Sequence, residues 1–446
     1  MNAKTKRNEF AIVMNEKPIK QYDQKFYSAV RPTLFLLRFL GGPTGLWKVD
    51  HGFWRTIVST ITALLMLLVL NVCMLYQCVR TVRTVMIPGR SFNQNVVYFF
   101  DMAINFTGVM ALDILWVRRK ELISLLNLID LEPKVNDNFD DDNTRKNRRK
   151  IRSKTTKLLI FLLFFTALMV APLNINTNDY DYYELQVLVD NHITVLINIA
   201  SCLSTLAFGA VLSLYLVLSW VLRLKVCRIV AHLKNNLLPE AQKGRNPRLN
   251  EPKLIQTWFT SYAVIFKKYN MIFKQIAGLI FVVLLWSVLS MSNQIITFFV
   301  EQIKFLDNIY MWIHEVMCAI ALILFLFVVS SVEYKIDKLM KQLFHLALVV
   351  KFNYFETKYQ TTNKLAQNFK LLADTIYQSH LSLSIFGLFH ITRGLIVTTF
   401  GFAVTYTVLM YELTKDDNIE SNPCNDTTLS TQLYSTPIIV IINSEL

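Results

Sequence analysis

The stretch SIFGLFHITRGLIVTTFGFAVTYTVLMYEL, from Ser384 to Leu413, decides how the chain is read. It runs for about 30 residues with one full charge, Arg393, before Glu412, and so exceeds the ~20 residues a helix needs to cross a bilayer. Read as a transmembrane helix, it places Thr405, Leu409 and Glu412 at i, i+4 and i+7, on one face, with Thr398 and Thr399 about two turns earlier. A polar face on a membrane helix suits a water-filled path.

The rest of the chain has the composition this requires. Of 446 residues 53% are hydrophobic, only 17% are charged, and the mean hydropathy is +0.36. That is too apolar for a soluble protein of this length. Further apolar spans are expected at Thr56–Val79, Val96–Val117, Lys157–Ile175, Ile193–Leu222, Ile276–Val300 and Met311–Val332, giving seven with Ser384–Tyr411.

The net charge of +14 invites a nucleic-acid reading, but the distribution of Lys and Arg argues for membrane topology instead. Of the 46, 39 fall before span one or between spans two and three, four and five, and six and seven, and 5 fall in the alternate segments. Lys157 and Arg393 lie inside spans. By the positive-inside rule the amino terminus is cytoplasmic and the carboxyl terminus extracellular. The first 56 residues contain no apolar core of a cleavable signal peptide. The sequon Asn425-Asp426-Thr427 in the tail agrees with this orientation and makes Asn425 a glycosylation candidate.

The chain is thus read as an all-α polytopic membrane protein. Its expected divisions are a cytoplasmic segment (1–55), spans one to four (56–222) with a cytosolic loop (118–156), cytosolic helices (223–275), spans five and six (276–332), further cytosolic helices (333–383), the last span (384–413) and an extracellular tail (414–446). Span four is expected to continue helically to Pro239, and LIQTWFTSYAVIFKKYNMIFKQIAG to run straight into span five. Before span seven, Leu365, Phe369, Leu372 and Ile376 form an apolar stripe at i, i+4, i+7, i+11, which needs a partner surface, supplied either by the neighbouring cytosolic helices or by another subunit.

The last nine residues of the opening stretch carry a resemblance. TYTVLMYEL, Thr405 to Leu413, resembles the TY-five-apolar-QF signature that closes the last span of insect gustatory receptors, with FGLFHITRGL matching the cadence of the segment before it. The chain departs from the signature at Glu412, where the family has Gln, and at Leu413, where it has Phe. The resemblance implies a ligand-gated non-selective cation channel in the plasma membrane of a sensory neuron dendrite, opened by a small-molecule tastant. Four seventh spans surround one pore in a homo- or hetero-tetramer with related receptors, with permeating cations and membrane lipid as the other partners. It assigns pore and gate roles to Thr405, Tyr406, Leu409, Glu412 and Leu413, and gives the Leu365, Phe369, Leu372 and Ile376 stripe to a cytosolic anchor domain that joins subunits.

The remaining candidates are polar or aromatic groups inside or at the ends of spans, where a polar side chain facing lipid is costly. Tyr98, Asp101, Trp286, Asn293, Gln294, Trp312 and His314 cluster toward the outer ends and either line an extracellular ligand pocket or serve as interhelical and interfacial anchors. Asp113 and Glu315 either reach the interface or act in the interior. Arg393 either pairs with a neighbouring backbone group or acid or lines the lower vestibule. No HExxH, CxxC, P-loop or GxSxG is present, and the seven histidines lack ligand spacing, so no enzyme chemistry, cofactor or metal is expected.

Three other classes were weighed. An odorant-receptor-like channel shares the architecture, and only the TY signature argues against it. A G-protein-coupled receptor needs an intracellular carboxyl terminus and its DRY and NPxxY motifs. A secondary transporter is expected to show paired repeats with broken helices, and none is evident.

Overall fold

A computed structural model describes residues 27–43, 53–86, 92–130, 191–243, 251–301, 309–353, 359–379 and 381–420, with isolated positions from 153 to 164. The elements in chain order are α1 (Tyr27–Phe39), α2 (Phe53–Val85), α3 (Phe92–Val117), α4 (Arg119–Asp130), α5 (Asn191–His232), α6 (Leu238–Gln242), α7 (Glu251–Glu301), α8 (Ile309–Asn353) and α9 (Tyr359–Gln378). A two-stranded hairpin, β1 (Ser384–Ile385) and β2 (Phe389–His390), and α10 (Arg393–Glu420) complete the described chain. Five stretches within these helices are long and apolar enough to cross a membrane, Ile57–Arg83, Ile199–Gln242, Glu251–Ser292, Val316–Phe352 and Arg393–Glu412, and Met102–Val117 is a shorter apolar helix. Nearly all of the expected third span lies outside the described residues.

The helix α5 is apolar on every side, as a helix buried all round must be. Packed by α1, α2, α3, α7 and α8, it forms the centre of the bundle. Close approach to α3 depends on Gly108, where a Cβ would overlap the Ser204 carbonyl oxygen and come within 3.0 Å of the Phe208 nitrogen. At the junction of α5, α7 and α8, Tyr215 stacks between Tyr269 (5.7 Å) and Phe325 (5.4 Å). The Tyr269 hydroxyl closes this cluster at 2.6 Å from the Ser219 hydroxyl.

The long helices exceed any bilayer. With 51 residues in α7 and 45 in α8, they extend about 77 and 68 Å at 1.5 Å per residue, more than twice the ~30 Å hydrocarbon core.

Several expectations are corrected. The helix after α5 does not stop at Pro239. Leu233–Leu237 widens into a π turn, and Pro239 sits in the first turn of α6, where its missing N–H removes no helical bond. The 118–156 segment, read as a loop, begins with α4, whose Leu122, Leu125, Leu126 and Ile129 are buried and which docks on α7. Lys268 of α7 donates to the Ser124 hydroxyl at 2.6 Å across that contact. The amino-terminal segment, for which no helix was expected, contains α1, which buries Val30, Leu34 and Leu37 against the bundle.

The largest change concerns the opening stretch. Ser384 to Leu413 is not one helix, because Ser384–His390 folds as a hairpin and the last helix begins only at Arg393. Phe386 (φ 53°) and Gly387 (φ 80°) both take left-handed conformations in the three-residue connection between the strands, which the Leu388 N–H tightens by donating to the Ile385 carbonyl at 2.9 Å. Thr392 then caps the new helix by accepting the Leu395 N–H at 3.3 Å.

Candidate functional site

The helix α10 lies at the margin of the bundle. Its main contacts are with α7 and α8, and little of its apolar span is covered by the rest of the chain. Thr405, Leu409 (56% exposed) and Glu412 are all exposed, along with Val397, Val404 and Val408, and Tyr406 is half-buried. The Leu413 side chain and Asn425 lie outside what is described.

The threonines of this helix do not leave donors unsatisfied. Thr398 donates to the Gly394 carbonyl at 3.1 Å, Thr399 to Leu395 at 2.7 Å, Thr405 to Gly401 at 2.9 Å and Thr407 to Ala403 at 2.8 Å. Each bond returns one turn back along the same helix, so these hydroxyls present oxygen lone pairs outward and require no outside acceptor. Glu412, two turns after Thr405, is the one exposed acidic group among the described side chains of the face the sequence picks out.

At the other end of the helix, the Arg393 guanidinium lies over the Tyr334 ring of α8, 3.6 Å from its centroid. The neighbour that meets this guanidinium is thus a π face of α8, where the sequence pointed to a backbone group or an acid.

The expected outer pocket is only partly visible. Tyr98 and Asp101 lie on α3, Asn293 and Gln294 on α7, and Trp312, His314 and Glu315 on α8, but their side chains are outside the described set. Trp286 of α7 is described and 42% exposed. Asp113 accepts from the Asn71 side-chain amide of α2 at 3.3 Å, so it bridges two helices.

Sequence reading missed a polar network deeper in the same region. The Asn105 amide of α3 donates to the Ser201 hydroxyl (3.0 Å) and to the Gln77 carbonyl oxygen of α2 (3.3 Å). Ser201 donates to the same Gln77 oxygen at 3.3 Å, and Thr205 donates to the Asn105 carbonyl oxygen at 3.0 Å. Four short polar side chains thereby tie α2, α3 and α5 together inside apolar surroundings. The missed signal was a neutral amide facing small hydroxyls, which a search for charges passes over.

The stripe Leu365, Phe369, Leu372 and Ile376 is buried within the single chain, packed mainly against α8. Of the two covers open to this face, the one seen in the single chain is a neighbouring helix. Its partner is the cytosolic-type extension of α8, which periodicity within α9 cannot reveal.

Comparison with known proteins bears on the whole chain. The family model described as 7tm Chemosensory receptor matches residues 30–411. No curated protein matches the chain in sequence. Among solved structures, the insect olfactory receptor OR5 from Machilis hrabei is similar with a TM-score of 0.63 at 11% identity, covering 88% of this chain and 100% of that one. The same receptor in complex with eugenol gives 0.61 at 11% identity, covering 87% and 98%. At that identity the likeness is one of fold. Taken with the family match across nearly the whole bundle, it makes this multi-pass membrane protein a member of the 7tm chemosensory receptor family.

Proposed function

We propose that the chain is a gustatory receptor subunit, a ligand-gated non-selective cation channel in the plasma membrane opened by a small-molecule tastant. The observation that carries this reading is the position of α10: a capped, marginal helix with an apolar and partly polar face that its own chain leaves uncovered. Four copies arranged about one axis would cover that face and line a path with Thr405, Leu409 and Glu412. Leu413 would supply an apolar constriction and Glu412 a ring of carboxylates that concentrates cations. The outer ends of α3, α7 and α8, which carry Tyr98, Asp101, Trp286, Asn293, Gln294, Trp312 and His314, are the proposed ligand pocket. Eugenol, the compound in the olfactory receptor complex, supports a small organic molecule as the opener here. A ligand opens such a pore only by as much as it prefers the open arrangement.

Expression in otherwise silent cells, with currents recorded against sugars, bitter compounds, amino acids and volatile odorants, tests the proposal. Currents to non-volatile tastants support it. Currents to volatiles alone favour the odorant reading, for which the similar olfactory receptor folds speak. Absence of current with any compound, in cells that display the protein at the surface, refutes the channel.

A further inference from the structure

The segment between α9 and α10 is held to the long helices at several points that the pore reading does not use. Asn270, Lys274 and Gly278 recur every four residues and so share one face of α7. The hairpin sits on that face. Ser384 donates its N–H (3.4 Å) and its hydroxyl (3.3 Å) to the side-chain Oδ1 of Asn270, and the Phe386 N–H donates to the Lys274 backbone carbonyl at 2.9 Å. The Phe386 ring lies against Gly278, where an added Cβ would come within 2.5 Å of three ring carbons.

Phe386 is also the only non-glycine residue with positive φ among those described. An aromatic residue avoids this region unless its surroundings fix it there, and such outliers gather at switches and clamps. Here the surroundings are the Lys274 carbonyl and the glycine seat. The hairpin is closed by Ile391 N–H to the Leu383 carbonyl (2.8 Å) and by Ser382 with His390 (2.6 Å). Three residues after β2, Arg393 stacks on Tyr334 of α8.

We propose that Ser384, Phe386 and Arg393 are positioning residues of a latch that seats the start of α10 on α7 and α8, so that movement of those two helices is carried to the last helix. The latch deepens the channel reading and rests on it for its consequence. An unclamped linker would let α10 drift relative to the bundle, whereas three anchors on two different helices fix both its height and its direction.

The test pairs two measurements. Gly278→Ala removes the seat, and Tyr334→Leu removes the stack while Tyr334→Phe keeps it. With eugenol, and with any tastant found to evoke current, Gly278→Ala is expected to raise the half-activating concentration about tenfold. Tyr334→Leu is expected to raise it two- to fivefold, about the worth of an exposed cation–π contact, and Tyr334→Phe to stay within twofold. Maximal surface expression should be unchanged. Hydrogen exchange on the purified full chain should quicken at least tenfold for amides 383–392 and also 393–400 in Gly278→Ala.

Faster exchange at 383–392 without any change at 393–400, or faster exchange with wild-type activation midpoints, overturns the latch. If Gly278→Ala fails to reach the surface, the Tyr334 pair decides: equal midpoints for Leu and Phe overturn it. If no compound opens the wild-type protein, the channel reading fails by itself, and exchange at 393–400 still decides whether α10 is held by the hairpin.

Discussion

Phe369→Ala should destabilise each chain rather than release one chain from another. Phe369 is 0% exposed and among the largest fully buried side chains, on the face of α9 that packs against α8. Truncating such a ring removes its transfer free energy and leaves a cavity that two long, well-anchored helices cannot close, so a loss of about 3–5 kcal/mol is expected. At ~2 °C per kcal/mol, the low end for large domains, the apparent melting temperature should fall by roughly 6–10 °C. Leu371, two positions away and 66% exposed, is the internal control: Leu371→Ala should shift stability by no more than about 0.5 kcal/mol. Thermal unfolding of purified protein in detergent, followed by intrinsic fluorescence alongside chromatographic mass, separates the alternatives. If Phe369→Ala lowered the oligomeric mass while its melting temperature stayed at the wild-type value, the intrachain packing argument would be refuted.

Other outcomes follow from the same packing. Gly108→Val should abolish surface expression, because its side chain meets the Ser204 carbonyl and the backbone of α5, and normal trafficking would disprove the close approach. Asn105→Ala breaks bonds to Gln77, Ser201 and Thr205 and should cost about 1–2 kcal/mol, with Thr205→Val costing about 0.6; equal melting temperatures for Asn105→Ala and wild type would count against the network. Asn425 should be glycosylated or reachable from outside intact cells and a tag before Met1 should not, while a tail reachable only after permeabilisation would reverse the orientation. On the channel reading, Glu412→Gln should keep ligand-evoked current but lower relative permeability to divalent cations, and identical reversal potentials in calcium-rich solution would remove Glu412 from the pore.

What the sequence makes legible is what composition alone controls. The apolar runs of α2, α5, α7, α8 and α10 are long and apolar enough to place five spans. Boundaries within apolar stretches are harder to read. Between Ser384 and Arg393 only Gly387 and His390 sit badly in a membrane helix, and the reversal depends on a ring finding Gly278, more than a hundred positions earlier in the chain. The α9 stripe is likewise visible as a pattern, but its partner is not, because amphipathicity says that a face needs cover and not whose cover it receives. The Asn105 network was illegible for a third reason: its members are uncharged and common, and only their meeting gives them meaning.

The contrast between α2 and α10 carries the functional argument further. Both helices leave most of their span uncovered by the chain, while the span of α5 is almost wholly covered. On α2 the exposed side chains are mostly apolar, among them Val58, Ile61, Leu64, Leu65, Leu68, Val72 and Leu75, with Thr62 bonded back to the Val58 carbonyl, a surface that suits acyl chains. On α10 the exposed side chains mix Val397, Val404 and Val408 with Thr398, Thr405, Tyr411 and Glu412. Lipid can accept the valines and even the back-bonded threonines, but a carboxylate one turn beyond Val408 calls for water, a cation or a protein neighbour. The two uncovered helices therefore differ in what must cover them. That difference, set by a handful of side chains, is why α10 and not α2 is the helix proposed for the pore.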